Sequence, residues 1–211
     1  MELHQQSAGG GGNAERLLDR ETVTSSGIGS NALAPSDWSP DGRYLVFSAP
    51  GPASGFDLWQ LPLGGDRKPA PFLRSPFDQF HGNFSPDGSF VAYTSNESGR
   101  FEVYVQTFPN PERGWSVSTN GGTEPRWRRD GREIYYLSAD RQLMAVTVSA
   151  GPSFGVPKAL FQTQVAGESS FARTHYVPSN DGQRFLINTP SGDPPANPIT
   201  VVLNWTAGLK K

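Results

Sequence analysis

Residue types that bind metals and polar ligands recur at one position of a repeated pattern in this chain. His81, Glu124 and His175 each lie six residues before the Asp of a four-residue turn motif, and Pro35 holds the same position before the first copy. A converging set of His, Glu and His has the donor atoms to hold a divalent metal or a polar ligand. The chain has only 3 His, however, and such loops need hydrogen-bonding side chains for their own backbone. We therefore predict no metal and no cofactor, and keep the three residues as candidates for binding a polar ligand or a partner.

A second candidate group is basic. Arg126, Arg128, Arg129 and Arg132 surround Trp127. Guanidinium groups recognise phosphates and carboxylates through paired N–H donors, so this group is a candidate site for a phosphate or an acidic peptide. The alternative is a solvated turn beside a buried Trp. One basic turn in a chain of formal net charge -2 does not form a nucleic-acid surface, and no nucleic-acid partner is predicted.

Four copies of a turn motif must position these residues. SPDG occurs twice, RRDG and SNDG are weaker copies, and the turn Asp residues are 46, 43 and 51 positions apart. This spacing is typical of one four-stranded propeller blade per repeat. In the motif, Pro presets φ, Asp accepts backbone N–H groups and Gly adopts a positive φ. The predicted structural turn residues are Ser39, Pro40, Asp41, Gly42, Ser85, Pro86, Asp87, Gly88, Asp130, Gly131, Asp181 and Gly182.

The residues after each turn alternate with a period of two and are apolar on both faces, as in RYLVFS and SFVAYTS. Strands that are buried on both faces suit a stack of sheets. Two more strands follow in each repeat, which predicts antiparallel four-stranded blades and a strand content of at least about 45%. The alternative, a β-sandwich, would make the matching offsets accidental. The aromatic residues predicted to lie buried between blades are Trp38, Phe84, Trp127, Phe47, Tyr93 and Tyr136.

The predicted fold is therefore all-β, a propeller with about four blades in a single region spanning 1–211. Residues 1–30 are expected to form the third and fourth strands of a partial blade, 31–76, 77–122 and 123–166 to form whole blades, and 167–211 a partial final blade. In a closed ring, ERLLDR would pair with ITVVLNW. In an open arc, which we slightly favour, the exposed edges would pair with missing blades of a longer chain or with another copy.

Composition sets further bounds. Gly 24 and Pro 19 are spread through the chain as turn residues, which fits many short strands. No apolar run approaches the length of a membrane span, and the N-terminus lacks the pattern of a signal peptide. With Cys 0, thiolate chemistry and disulfides are excluded, and the redox compartment stays open.

The repeat resembles a known type of propeller. The pattern WSPDGRYLVFS, followed by the strand DLWQLPL, is similar to the WD-like repeat of the TolB type, which carries SPDG. More narrowly, FSPDGSFVAYTSNESGRFEVYVQTFP and GGTEPRWRRDGREIYYLS resemble the propeller regions attached to bacterial serine/threonine kinases of the eukaryotic type. The resemblance implies a bacterial, extracytoplasmic propeller. It implies no kinase activity, because no GxGxxG, VAIK-like, HRD or DFG motif is present.

Peptidase and metalloenzyme motifs are missing from the sequence as well: neither GxSxG nor HExxH occurs. The prediction is a non-catalytic propeller, a sensor or protein-interaction module of a bacterial signalling protein that binds a protein or a small polar ligand at one face. Two alternatives remain open. One is the accessory propeller of a prolyl-oligopeptidase-type peptidase, and the other is a propeller enzyme such as a polysaccharide lyase.

Overall fold

The computed structural model describes residues 2–9, 13–29, 32–51, 55–167 and 170–190, and the backbone of 199–203. Strands make up 47% of the structure, and they form antiparallel sheets, which include four-stranded ones. The predicted all-β propeller fold and its strand content are confirmed. In the part of the chain that the structure describes, no helix is long and apolar enough to cross a membrane.

The strands form successive sheets along the chain. The N-terminal sheet contains β1 (Leu3–Gln5) and β2 (Glu15–Leu18), and the helix α1 (Arg20–Ser25) follows it. The first blade contains β3 (Ala34–Trp38), β4 (Tyr44–Pro50), β5 (Phe56–Pro62) and β6 (Ala70–Leu73). The second blade contains β7 (Gln79–Phe84), β8 (Phe90–Ser95), β9 (Glu102–Thr107) and β10 (Gly114–Ser116). The third blade contains β11 (Thr123–Trp127), β12 (Glu133–Leu137), β13 (Gln142–Ser149), the short β14 (Ser153–Phe154) and β15 (Lys158–Gln162). The C-terminal sheet contains β16 (Tyr176–Pro178), β17 (Arg184–Asn188) and β18 (Ile199–Leu203).

The SPDG turn joins the first strand of a blade to the second through local hydrogen bonds. The Ser39 hydroxyl donates to the Asp41 carboxylate at 2.6 Å and accepts from the Tyr44 N–H at 2.9 Å. Asp41 also accepts from the Arg43 N–H at 3.0 Å, and Gly42 has a φ of 69°. The hydrogen bond from Ser39 is the main reason that the pKa of Asp41 falls to about 2. The SPDG copy in the second blade and the SNDG copy in the C-terminal sheet repeat this set of bonds.

Adjacent blades pack through positions that repeat relative to the turn Asp. Residues four and six positions after the Asp face the preceding blade, and the residue five positions after it faces the following blade. Between the first and second blades, Val91 and Tyr93 pack in one cluster with Val46. Between the second and third blades, Ile134 packs in one cluster with Ala92. The second strands are therefore buried on both faces, as their apolar alternation predicts.

The aromatic residues follow this rule except at the N-terminal end. The buried members of the predicted set are Phe84, Trp127, Phe47, Tyr93 and Tyr136. The prediction is wrong for Trp38, which is 48% exposed. The N-terminal sheet covers part of the first blade with Leu3, Leu17 and Leu18. Among the described residues, however, this sheet contains only β1 and β2, and Trp38 is not covered as the equivalent residues of later blades are.

The N-terminal region also contains a helix that the strand prediction for residues 1–30 did not include. The Asp19 carboxylate accepts from the Thr22 N–H at 2.7 Å and caps the first turn of α1. Glu21 lies in that first turn, where a negative charge stabilises a helix. Val23 is fully buried against Leu18 in the same apolar cluster. Capping and this one buried contact therefore favour a short helix over a continued strand.

The two ends of the chain do not share a sheet in the described residues. Strand β2 pairs with β1, and β18 pairs with β17. The pairing of ERLLDR with ITVVLNW that a closed ring requires is thus not observed among the described strands.

Candidate functional site

The first strands of the blades converge on a cavity of about 260 Å³. Its walls come from the start of β3, from β7, from β11 and from the segment before β16. Because the first strand of each blade is the innermost one in a propeller, this cavity lies on the axial side of the molecule. We call it the axial cavity. Its lining residues are Leu33, Ala34, Pro35, Ser36, His81, Arg126, Phe171, Ala172, Arg173 and Thr174.

His81 reaches this cavity from a strained backbone position. It lies at a bulge in β7 and has a φ of 59°, in the left-handed region that few non-glycine residues adopt. Its Nε2 lies 2.8 Å from the Ser170 carbonyl, which can only accept, so Nε2 carries the proton. Burial lowers the pKa of His81 to about 4, although Glu124 opposes the shift. His81 is therefore a neutral imidazole at neutral pH.

Glu124 and His175 form a buried pair. Both are almost inaccessible, with 0% and 2% exposure. Glu124 accepts from the His175 backbone N–H at 2.7 Å and faces its Nδ1 at 2.6 Å, while the His175 Nε2 lies 2.8 Å from the Ala166 carbonyl. Each carboxylate oxygen of Glu124 therefore has a hydrogen-bonding partner on His175.

The sequence placed His81, Glu124 and His175 at equivalent positions, and the structure brings them into one network. The Thr94 hydroxyl accepts from the Glu124 N–H at 3.2 Å and lies 3.5 Å from the Nδ1 of His81. Glu124 also has a φ of 58°, at the bulge equivalent to that of His81. Both ring nitrogens of His175 are already engaged. Within the described residues no group of three His, Cys, Asp or Glu could hold a metal ion. The network joins the second and third blades to the C-terminal sheet.

Hydrogen bonds also link the first strands of neighbouring blades. The Asp37 carboxylate accepts from the Phe84 N–H at 2.9 Å, and the Asn83 side-chain oxygen accepts from the Trp127 N–H at 3.0 Å. Each acceptor lies four residues before its turn Asp, and each donor lies three residues before the turn Asp of the next blade. Arg126 holds the acceptor position in the third blade, but a guanidinium group only donates.

The hydrogen bond between neighbouring first strands is therefore not repeated at Arg126. The corresponding donor position of the C-terminal sheet holds Pro178, which has no N–H and needs no acceptor. Arg126 instead lines the axial cavity and donates to the Thr174 hydroxyl at 2.8 Å, with a second, longer bond to the Pro125 carbonyl. Among the described residues these are its hydrogen-bond partners, and its charge also acts on the Asp37 carboxylate. A guanidinium group has five N–H donors. Donors of Arg126 remain available to a ligand in the cavity.

The other predicted arginines lie elsewhere. Arg128 takes the place of the turn Ser: its Nε donates to Asp130 at 2.7 Å, and its NH1 donates to Glu133 at 2.7 Å. The bond from Arg128 is the main reason that the pKa of Asp130 falls to about 2. Arg129 is exposed in the same turn. The predicted arginine cluster is therefore divided: Arg126, near the end of β11, lines the axial cavity, whereas Arg128 and Arg129 lie in the turn that follows the strand.

Sequence reasoning missed Arg173. It is exposed, lies two residues before His175 and lines the axial cavity together with Arg126. The segment before β16 has no repeated motif that would draw attention to it. In the sequence, Arg173 is marked only by its basic charge and by its position six residues before Ser179. Asp37 and Asn83 were missed too, although their shared offset from the turn could have revealed them.

These features define a β-propeller with a basic axial cavity. No protein-family model matches the chain, and no curated protein matches it. Among solved structures it is similar to TolB from Acinetobacter baumannii, with 20% identity over 90% of this chain and 43% of that chain and a TM-score of 0.67. It is also similar to a putative TolB from Agrobacterium tumefaciens, with 20% identity, 88% and 62% coverage and a TM-score of 0.63. An oligogalacturonate lyase in complex with manganese matches with 14% identity, 92% and 51% coverage and a TM-score of 0.62.

At these identities the similarity shows the fold, which is the propeller fold of TolB proteins. The chain spans 43% and 62% of the two TolB structures, which is less than two thirds of either. TolB and lyase propellers share this fold, so the fold does not select a role.

Proposed function

We propose that this chain is a non-catalytic binding module that takes an acidic side chain or a terminal carboxylate of a partner protein into its axial cavity. The observation that carries the proposal is the positive charge of the cavity lining. Arg126 and Arg173 line the cavity, and no Asp or Glu is among its described lining residues. A guanidinium group binds a carboxylate through paired N–H donors, which provides both strength and orientation.

The size of the cavity supports a side chain as the ligand. At about 260 Å³ it lies below the roughly 300–1,000 Å³ of pockets that enclose drug-sized molecules. His81 is neutral at neutral pH, since burial lowers its pKa to about 4, so among the described lining residues the positive charge comes from Arg126 and Arg173. A single carboxylate on a protruding segment therefore fits the available volume and charge.

The biological setting is part of the same proposal. The resemblance to propellers attached to bacterial kinases supports a role in a signalling protein, and the TolB-like fold supports an extracytoplasmic compartment. Fractionation of the native host with an antibody against the chain tests this setting. Recovery of the chain with cytosolic markers would argue against it.

A peptide titration tests the binding function. The probe is a glycine-rich peptide that carries one Glu, compared with the same peptide carrying Gln, and binding is followed by NMR chemical shifts. We expect the Glu peptide alone to shift resonances of the axial cavity. Arg126→Gln should weaken this binding by roughly tenfold to a hundredfold, as expected for a lost hydrogen bond to a charged group.

Arg129→Gln provides the matched control, because it removes the same charge from the exposed turn that follows β11, outside the lining of the axial cavity. It should leave the affinity unchanged. An equal loss in both variants would show that binding reflects net charge and not the cavity. A lyase would instead cleave oligogalacturonate when manganese is added, and such turnover by the chain would replace this proposal.

A further inference from the structure

Each blade presents one side to the blade that follows it. This side carries the residue four positions before the turn Asp and its cross-strand partner five positions after the Asp. In the first blade these residues are Asp37 and Val46. Val46 is fully buried by the second blade, and Asp37 accepts the hydrogen bond from Phe84 across the interface. This side of a blade is therefore built to be covered.

The C-terminal sheet exposes the same side. Its equivalent residues are Val177 and Leu186, which are 53% and 51% exposed. They are register partners on β16 and β17, so their side chains lie next to each other on one face of the sheet. We call this apolar pair the C-terminal face. The equivalent second-strand residues of the second and third blades, Ala92 and Tyr135, are fully buried.

Trp38, in the first blade, offers a surface that could pack on this apolar pair. Its equivalents, Phe84 and Trp127, are buried against the preceding blade. Trp38 is 48% exposed. The interface between successive blades thus leaves two surfaces uncovered. One is the exposed Trp38, and the other is the exposed apolar pair of the C-terminal face.

The hydrogen bonds of Trp38 are also compatible with a contact on the C-terminal face. The N–H groups of Phe84 and Trp127 each donate to a side-chain acceptor of the preceding blade. Val177 has no side-chain acceptor to offer. The Trp38 N–H already donates to the Asp37 carboxylate at 2.9 Å, in its own strand. Trp38 can therefore pack on an apolar pair without leaving its N–H unsatisfied.

We propose that a second copy of this chain docks on the C-terminal face, with its Trp38 packed on Val177 and Leu186. The contact uses different surfaces on the two copies, so association is head to tail and continues until the copies close a ring or extend as a filament. This interaction does not depend on the axial cavity or on a bound ligand.

Sedimentation equilibrium of the full chain over a range of concentrations tests the proposal. Wild type should form assemblies that grow with concentration. Trp38→Glu and Leu186→Glu should each raise the apparent dissociation constant about tenfold or more, because either places a charge in an apolar contact. Val156→Glu is the matched control, since Val156 is 82% exposed and outside both faces, and it should associate like wild type.

A mixing experiment separates head-to-tail contact from other modes. Trp38→Glu retains an intact C-terminal face, and Leu186→Glu retains an intact Trp38, so an equimolar mixture should form a complex that neither variant forms alone. Circular dichroism confirms that both variants are folded. The proposal is overturned if wild type stays monomeric throughout, as expected where blades of a longer chain cover these faces, or if the mixture shows no complex.

Discussion

Glu124 forms two hydrogen bonds with His175: it accepts one from the backbone N–H at 2.7 Å, and it shares another with the ring Nδ1 at 2.6 Å. Glu124 lies in β11, and His175 lies 51 positions further along the chain, directly before β16. The contact therefore fastens the C-terminal sheet to the third blade at a point that water does not reach.

Removing one member of this pair should destabilise the fold strongly. Glu124→Gln replaces the carboxylate by an amide and leaves the buried His175 without its charged partner. We expect the free energy of unfolding to fall by about 3–5 kcal/mol, as for other broken buried pairs. Urea unfolding measures the change. Glu112→Gln, at an exposed residue, should remain within about 0.5 kcal/mol of wild type, and a comparable loss there would contradict the assignment.

His81 should make stability depend on pH below neutrality. Its pKa is about 4 in the folded state, chiefly because of burial, against an ordinary value of 6.5. Between these values the unfolded chain binds the proton more tightly, so stability is retained above pH 6.5 and lost as the pH falls. The linkage relation gives a loss of about 2 kcal/mol between pH 7 and pH 5.

Urea unfolding of wild type and His81→Gln at both pH values isolates this contribution. The variant should lose about 2 kcal/mol less than wild type over the same interval, whatever its absolute stability. Identical pH dependence in the two proteins would show that His81 titrates normally in the folded state.

The two tryptophans at equivalent positions should differ in their effect on stability. Trp127→Ala removes a side chain that is 9% exposed and packed between blades, and should cost about 3–5 kcal/mol. Trp38→Ala should cost less than half as much, because Trp38 is 48% exposed. Thermal and urea unfolding at low protein concentration make the comparison. Equal losses would contradict the packing rule.

Gly42 and Gly182 have the same φ of 69°. Comparing their Ala variants therefore distinguishes the cost of backbone strain from the cost of steric overlap. A Cβ at Gly42 meets nothing within 4 Å, so Gly42→Ala should cost only about 1–2 kcal/mol of left-handed strain. A Cβ at Gly182 would overlap the Tyr135 hydroxyl and lie 2.7 Å from the Arg128 Cδ. Gly182→Ala should therefore be less stable by roughly a further 1–3 kcal/mol. Urea unfolding would disprove this if the two variants were equal.

The repeat architecture could be predicted because its determinants are local. Ser39, Asp41 and Gly42 make their turn through bonds within six residues, so the same letters produce the same turn wherever they occur. The period-two runs after each turn likewise identify strands that are buried on both sides. The sequence alone therefore determined the four-stranded repeat and the position of its turns.

The tertiary structure decided what those residues contact, because the contacts join blades that are far apart in the chain. Arg126 lines the axial cavity, and Arg173 joins it there from a segment without a motif, while the next sheet presents Pro178, which has no N–H to donate. Trp38 fits the repeat as well as Trp127 does, yet it is exposed because its cover depends on a neighbouring sheet. Burial and charge pairing are properties of packed sheets, and a repeat pattern fixes only the surfaces that each sheet offers.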